Sequence, residues 1–189
     1  MVLMGSDVDR LCDAGETGRL IQEMAGRIWE GSTPASPVRL VGVRSRGVPL
    51  AERLAAEARE QGLGEALVGA VDITLYRDDL DQSRRWPILR GTDVPFDVDG
   101  ADVVLVDDVL FTGRTIRAAI NAVCDLGRPA RIRLAVLVDR GWRELPIQPD
   151  VAGMTLDTHR RDRVQVRLAP VDPIDEIIRI PAAPRPSTS

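Results

Sequence analysis

The sequence predicts a single α/β domain with a central, mostly parallel sheet flanked by helices. Two runs, Val103–Val106 and Leu134–Val138, consist of apolar residues alone, which is typical of strands covered on both faces in a parallel sheet. Between them, apolar residues recur at helical spacing from Ile116 to Cys124. A strand, a helix and a second strand in this order form a right-handed crossover unit, and this unit predicts the α/β class.

Upstream of this unit, the periodicity predicts two helices and two strands. The first helix covers residues 10–30, where one face is apolar, and glycine and prolines at positions 31, 34 and 37 end it. A short strand, Val38–Val43, leads into a second helix whose apolar face holds Ala51, Leu54, Ala55 and Ala58. Alternating apolar and polar residues predict a further strand over residues 66–75.

The remaining segments predict a long loop, edge strands and a tail. Residues 76–100 carry ten charged side chains and two prolines; a loop of this length is commonly a lid or a binding arm, and a solvated hairpin fits the composition equally well. The third helix is expected to end near Gly127 in a left-handed cap, and residues 164–180 to form one or two short edge strands. We therefore expect one domain over residues 1–180 and a disordered tail over residues 181–189.

Composition and charge exclude several classes of protein. With 25 Lys and Arg, 29 Asp and Glu and a net charge of −4 on 189 residues, the chain is not a nucleic-acid coater selected by bulk basicity. One histidine, His159, removes His-pair metal motifs, and the two cysteines, Cys12 and Cys124, are expected to be small buried side chains. No apolar run approaches the roughly 18 residues of a membrane span, so we expect no membrane partner and a cytoplasmic location.

Candidate binding residues follow the apolar strand that ends at Val106. Asp107 and Asp108 come directly after it, at the sheet edge where open α/β sheets bind ligands. Two carboxylates about 5 Å apart would repel by roughly 3 kcal/mol at an effective dielectric near 20, so they require partners such as ribose hydroxyls or a metal ion. The next residues, Thr112–Thr115, open a helix with hydroxyls, a glycine and free backbone N–H groups, which suit a phosphate. The pattern predicts recognition of a sugar phosphate; the alternative is two turn residues followed by an N-cap.

The segment from Val103 to Thr115 resembles the phosphoribosyl-pyrophosphate (PRPP) signature of type I phosphoribosyltransferases. Four further stretches, residues 40–47, 71–80, 126–129 and 137–147, resemble the PyrR family of pyrimidine operon regulators and uracil phosphoribosyltransferases. The likeness runs from about residue 10 to residue 180. It implies the type I phosphoribosyltransferase fold, with a flexible hood loop over residues 76–90.

The resemblance implies roles for the candidate residues. Asp107 and Asp108 would hold the ribose hydroxyls and Thr112–Thr115 the 5′-phosphate. The pyrophosphate loop would supply fork-shaped donors from its arginines and close backbone approach at its glycine. The implied substrate-binding residues are Arg44, Ser45, Arg46, Gly47, Asp107, Asp108, Val109, Leu110, Phe111, Thr112, Gly113, Arg114, Thr115 and Arg140.

The implied reaction is the displacement of pyrophosphate from C1 of PRPP by N1 of uracil, which gives uridine monophosphate (UMP). The implied catalytic residues are Arg77 of the hood, Asp107 and Asp108, while the loop from Arg140 to Ile147 would frame the uracil. Mg²⁺ would bind mainly through PRPP oxygens and water, with no dedicated protein metal site. Catalysis would consist of positioning and electrostatic stabilisation, since no nucleophilic side chain is needed.

The resemblance also implies a regulatory partner. Members of the PyrR family bind the leader RNA of their own pyrimidine operon on a basic face of the dimer, so a homodimer or higher homo-oligomer is expected. Trp142, Gln148 and Met154 stand where His, Arg and Lys are common in the family, and lost cations weaken phosphate neutralisation. The arginines that remain as RNA candidates are Arg19, Arg27, Arg143, Arg160, Arg161 and Arg163. The run from Arg160 to Arg163 could equally be a solvated surface.

Two alternatives to the uracil enzyme stay open. One is a phosphoribosyltransferase for a purine or for orotate, which the pattern of residues 139–147 disfavours. The other is an RNA-binding transcription attenuator with little catalytic role, which uses UMP only as an effector. The intact pyrophosphate loop and acid pair favour a working enzyme.

Overall fold

A parallel sheet and a smaller antiparallel sheet make up the fold over the residues that the computed structural model describes, 8–30, 37–74 and 91–183. In chain order, the strands and helices are β1 (Asp9–Cys12), α1 (Ala14–Trp29), β2 (Val38–Val43), α2 (Gly47–Glu60), β3 (Ala66–Val71), β4 (Asp102–Leu110), α3 (Arg114–Cys124), β5 (Arg131–Asp139), β6 (Val151–Thr155), β7 (Arg163–Arg167) and β8 (Glu176–Ile180).

The five-stranded sheet has the order β3-β2-β4-β5-β6, and every neighbouring pair is parallel. Helices α1 and α2 pack on one face and α3 on the other. In β4, Val104 and Val106 join the apolar cluster of α1 and α2, whereas Val103 and Leu105 join that of α3. Coverage on both faces explains the uninterrupted apolar run of this strand. The predicted α/β class with a central parallel sheet is confirmed.

The smaller sheet has the order β1-β8-β7, with both pairs antiparallel. It buries Cys12, Val166 and Ile177 against the cluster of α1 and α2. The predicted strands of residues 164–180 are therefore present as β7 and β8, but they do not lie at an edge of the main sheet. Strand β8 is instead the central strand of a sheet of its own.

The first helix is shorter at its start than the periodicity predicts. Residues 9–12 form β1, and the helix begins after Asp13, whose side chain accepts the Glu16 N–H at 2.9 Å while the Glu16 carboxylate accepts the Asp13 N–H at 2.9 Å. This reciprocal capping box satisfies two backbone donors and sets the helix start. Residues 9–12 form a strand because they pair with β8, a partner far along the chain.

The strand predicted over residues 66–75 ends earlier, at Val71. Asp72 stops it, because its carboxylate accepts the Thr74 N–H at 2.9 Å and the Thr74 hydroxyl at 2.5 Å and so forms a local turn. After residues 75–90, which are not described, Asp93 exchanges two backbone hydrogen bonds with Ala70, at 2.7 and 2.8 Å. The hood predicted over residues 76–90 and most of the predicted tail, residues 184–189, lie outside the described residues.

Two smaller predictions need correction, and one strand was not predicted. Gly127 is not a left-handed cap; a Cβ there would lie 2.6 Å from the Asp99 carboxylate, so the position requires glycine for close approach. Cys12 is buried as expected, but Cys124, the last residue of α3, is exposed. Strand β6 was not predicted, because its sequence Val-Ala-Gly-Met-Thr lacks alternation; Gly153 fits there against the Leu137 carbonyl, 2.8 Å from where a Cβ would be.

Candidate active site

The two candidate acids lie inside β4 and not just beyond it. The strand continues to Leu110 because its pairing with β5 continues, with Asp107 opposite Val136 and Leu110 opposite Asp139. The predicted strand end at Val106 was therefore too early. Asp107 is 6 % exposed, and Asp108 is half-buried. The acid pair is thus part of a rigid, central strand.

Burial dominates the electrostatics of the acid pair. The pKa of Asp107 is raised well above its usual range, first by burial and then by repulsion from Asp108. Burial also raises the pKa of Asp108, while a hydrogen bond with Asp107, the Val109 N–H and the positive charge of Arg46 oppose that rise. The Asp107 carboxylate accepts the Asp108 N–H at 3.0 Å. A buried acid beside a half-buried one is suited to hydroxyl groups or to a bound cation.

The predicted pyrophosphate loop packs directly on this strand. Arg44, Ser45 and Arg46 connect β2 to α2, which begins at Gly47. A Cβ at Gly47 would lie 2.3 Å from the Val106 carbonyl oxygen and 3.4 Å from the Asp107 Cα. Only glycine permits this backbone contact. Gly47 thus approaches the backbone beside the acid pair closely, and its approach to pyrophosphate stays a prediction.

The two loop arginines have different partners. The Arg44 Nε donates to the Gly91 carbonyl at 3.0 Å, and the Arg44 backbone N–H donates to Val71 at 3.0 Å. Arg46 binds Asp172 through two hydrogen bonds of 3.0 Å each, and its charge acts on Asp108. Ser45 is exposed between them. Arg46 is thus the loop arginine whose charge reaches the acid pair.

A turn and helix start follow the acids in the predicted order. Phe111 and Thr112 leave β4, Gly113 adopts a left-handed backbone with φ 90°, and α3 begins at Arg114. Gly113 is the N-cap of α3 and has no side chain that could accept a hydrogen bond from the backbone N–H groups of the first turn. This arrangement suits a phosphate. Of the other residues of the predicted segment, Leu110 is buried in the core, Val109 is half-buried against the α1 and α2 cluster, and Thr115 lies in the first turn of α3.

The loop of residues 140–147 packs against that turn. The backbone N–H groups of Glu144 and Leu145 donate to the Thr112 carbonyl at 3.0 and 3.2 Å. The Glu144 carboxylate accepts Arg114 at 2.9 Å and Arg160 at 2.5 Å. The phosphate turn and the predicted base loop therefore form one hydrogen-bonded unit.

Arg140 and Arg143 serve this unit with their side chains. Arg140 is 5 % exposed, donates to the carbonyls of residues 159, 160 and 162, and lies 4.2 Å over the Phe111 ring. The Arg143 guanidinium donates to three carbonyls of residues 111, 141 and 147, and to the Asp139 carboxylate at 2.6 Å. Both guanidinium groups thus hold loops together, a role that the sequence did not indicate.

The other candidates lie apart from this unit or outside the description. Arg19 is exposed on α1, and Arg160 is exposed but paired with Glu144. Arg77 lies outside the described residues. Asp172 and Glu144 were not predicted as site residues, because acidic residues in loops carry no signal until the fold places an arginine beside them.

Comparison with known proteins identifies the family. A model of the phosphoribosyl transferase domain matches residues 7–170. Proteins named "Bifunctional protein PyrR" are similar along most of their length. That from Chloroflexus aurantiacus is 51% identical over 93% of this chain and 96% of its own. That from Pelotomaculum thermopropionicum is 46% identical over 95% of this chain and 99% of its own. The chain belongs to the PyrR family of type I phosphoribosyltransferases.

Solved structures agree with this assignment at the level of the fold. A hypoxanthine phosphoribosyltransferase from Trypanosoma cruzi superposes with a TM-score of 0.69 at 20% identity and covers 90% of this chain and 94% of its own. The predicted type I phosphoribosyltransferase fold and membership of the PyrR family are therefore confirmed, and the protein is a transferase of this class. Among the described residues, no helix is long and apolar enough to cross a membrane.

Proposed function

We propose that this PyrR-family protein forms UMP and pyrophosphate from uracil and PRPP, and that it regulates pyrimidine operon transcription by binding leader RNA. One observation carries the enzyme assignment. A Cβ added at Gly47 would lie 2.3 Å from the Val106 carbonyl oxygen and 3.4 Å from the Asp107 Cα, so the segment that we assign to pyrophosphate lies beside the acid pair. The three parts that PRPP requires, for pyrophosphate, ribose and 5′-phosphate, thus adjoin one end of β4.

Each group of PRPP has a matching group in this arrangement. We assign the ribose hydroxyls to Asp107, which is buried, and Asp108, which is half-buried. Exclusion of water from Asp107 strengthens a hydrogen bond to a hydroxyl. The 5′-phosphate is assigned to the turn of residues 112–115 and the helix N-terminus after it. The pyrophosphate is assigned to Arg44 and Arg46 and, from the hood, to Arg77.

The reaction needs no nucleophilic side chain. A bond forms between N1 of uracil and C1 of the ribose, and the bond from C1 to the pyrophosphate oxygen breaks, so the ribose carries positive charge in the transition state. The proton of uracil N1 is lost in the same reaction, and the departing pyrophosphate can accept it. Asp107 and Asp108 face this charge across the hydroxyls that they hold, and the arginines stabilise the leaving group. The protein thereby acts by positioning and by electrostatics.

Mg²⁺ is the cofactor that we propose, bound mainly through PRPP. Among the described residues, no group of three or more His, Cys, Asp or Glu side chains could bind a metal by itself. The acid pair fits a cation that keeps most of its water and substrate ligands, because one or two carboxylates suffice for such a site. When bound, Mg²⁺ would neutralise the pyrophosphate charge. Asp107 and Asp108 are the residues that would hold its waters.

The regulatory part of the proposal draws on the relatives named bifunctional. RNA contact would come from exposed cations such as Arg19 and Arg160, in a homodimer or higher homo-oligomer. Arg143 is a weaker candidate than the sequence suggested, because its side chain is 13% exposed and is bound within its own loop. The enzymatic reaction is therefore the better supported of the two activities.

The test is an assay of UMP and pyrophosphate formation from uracil and PRPP with Mg²⁺. Orotate and hypoxanthine replace uracil in parallel reactions, and omission of Mg²⁺ is a further control. We expect turnover with uracil alone among the three bases, and its loss without Mg²⁺. Turnover only with orotate or hypoxanthine would contradict the substrate, and no turnover with any base would favour the attenuator without catalysis.

A further inference from the structure

The loop between β7 and β8 contacts Arg46 of the pyrophosphate loop through one ion pair and Arg53 of α2 through another. The β7–β8 loop, residues 168–175, supplies both acids. Asp172 accepts the Arg46 Nε and Nη2 at 3.0 Å each, and Asp175 accepts the Arg53 Nη1 at 2.5 Å. Arg46 is the N-cap residue just before α2, and Arg53 lies seven residues further on, about two helical turns. Their side chains therefore lie on the same side of the helix. The β7–β8 loop therefore lies along the start of this helix.

Asp172 is itself held in one position. Its Oδ2 also accepts the Leu168 N–H at 3.0 Å, and its own N–H donates to the Leu168 carbonyl at 2.8 Å. The Asp172 side chain is 14% exposed, whereas that of Arg46 is 37% exposed. The hydrogen bond from Arg46 is the first cause that lowers the pKa of Asp172 below its usual value. Asp172 is thus a fixed, ionised acceptor that is better covered than its partner.

The geometry of the pair leaves part of the guanidinium available. Arginine has five N–H donors in a planar fork, and Asp172 takes one from Nε and one from Nη2. The opposite edge, formed by Nη1 and the second hydrogen of Nη2, can still bind an anion with two contacts. The charge of Arg46 also acts on Asp108. The free edge of the Arg46 guanidinium is thus close enough to the acid pair for its charge to act on Asp108.

We propose that Asp172 is a positioning residue that holds Arg46 in the orientation required to bind the pyrophosphate of PRPP. This inference rests on the proposed function of the site. Without the carboxylate, the Arg46 side chain would sample several rotamers, and substrate binding would have to order it. The β7–β8 loop would thereby control the affinity for PRPP and pyrophosphate and leave the uracil side of the site unchanged.

The test compares Asp172→Asn with Asp175→Asn, a matched control that breaks the other ion pair of the same loop. We expect Asp172→Asn to raise the KM for PRPP about tenfold, with the KM for uracil within about twofold of wild type. Asp175→Asn is expected to leave the KM for PRPP within about twofold. In an Arg46→Ala background, adding Asp172→Asn should change the KM for PRPP no further, because the two residues act as one unit.

Equal KM values for PRPP in the two single variants would overturn the proposal, as would a full additional effect in the Arg46→Ala background. Calorimetric titration with PRPP and Mg²⁺ gives the same comparison without turnover, so failure of the uracil reaction in wild type would count against the proposed function alone. If Asp172→Asn does not fold, Asp172→Glu takes its place. It keeps the charge but displaces the carboxylate, and unchanged PRPP binding in that variant would contradict the proposal.

Discussion

Asp107 illustrates a residue whose burial opposes folding. Its pKa is raised well above the usual range by burial and by Asp108, so the folded state holds its proton more tightly than the unfolded chain. As the pH rises above the pKa of an unfolded Asp, this difference lowers the free energy of unfolding. A carboxylate that is costly to the fold is typical of sites selected for chemistry.

Asp107→Asn is expected to raise the free energy of unfolding at pH 7 and to lower UMP formation by at least about tenfold. The amide oxygen can still accept the Asp108 N–H, while the buried charge and its repulsion are removed. The stability gain should grow as the pH rises from about 3.9, the pKa of unfolded Asp, toward the raised folded pKa, and should vanish below about 3.9. Thermal melting across pH measures it.

Glu60→Gln, which neutralises an exposed carboxylate at the end of α2, is the control and should change neither quantity. Asp108→Asn should also lower UMP formation by at least about tenfold. Wild-type turnover in both acid variants would remove the pair from the mechanism.

Gly47→Ala is expected to weaken PRPP binding and to destabilise the fold by about 1–3 kcal/mol, because the added Cβ must push the loop away from β4. Urea unfolding and the KM for PRPP are the measurements. Gly18→Ala on α1 is the matched control, since nothing lies within 4 Å of its added Cβ; it should stabilise by roughly 0.5–1 kcal/mol. Equal effects of the two substitutions would contradict the close contact at Gly47.

The elements show where sequence patterns suffice. The existence of strands β2, β4 and β5 and of helices α2 and α3 was predictable, because each has one periodicity. The end of β4 was not, since its pairing with β5 sets it. Residues 10–12 of β1 fall in the segment predicted as the first helix. Four residues carry little periodicity, and only pairing with β8 makes them a strand. The acid pair and phosphate turn were predictable because they are contiguous. Asp172 lies 126 residues from Arg46, and no local pattern connects the two.

Asp13→Ala tests the boundary between β1 and α1. Loss of the capping box should lower the free energy of unfolding by about 0.5–2 kcal/mol, with UMP formation per folded protein unchanged. Urea unfolding measures the change. Glu23→Ala, an exposed position within α1, is the control and should cost less than about 0.5 kcal/mol. Equal losses at the two positions would show that the cap does not set the helix start.

At the scale of the whole molecule, several arginines in the described part of the chain are already paired with carboxylates. Arg46, Arg53, Arg143 and Arg160 each bind a carboxylate of the chain. An arginine bound to an acid neutralises a nucleic-acid phosphate less effectively than a free one. The paired arginines in the described part of the chain therefore attract RNA less strongly than free arginines would.

We expect weak binding of the host's leader RNA, with an affinity that falls steeply between about 50 and 200 mM salt. Gel shifts at several salt concentrations, with and without UMP, measure it. Arg160→Gln should weaken binding if the exposed edge of Arg160 contacts phosphate, and Arg131→Gln, a second exposed and paired arginine, is the control. Tight, UMP-stimulated binding at physiological salt would contradict this prediction.

The central position of β8 in the smaller sheet bears on how the protein is made. A nascent chain emerges from its N-terminus, and β8 follows every other described strand. The five parallel strands and both acids are thus synthesised before β1 and β7 have a central strand to join. Asp172 and Asp175, just ahead of β8, reach Arg46 and Arg53 only at that stage. A ribosome-bound intermediate would therefore have the proposed ribose-binding acids in place before Asp172 orients Arg46. The ability to bind PRPP would then arise late in synthesis.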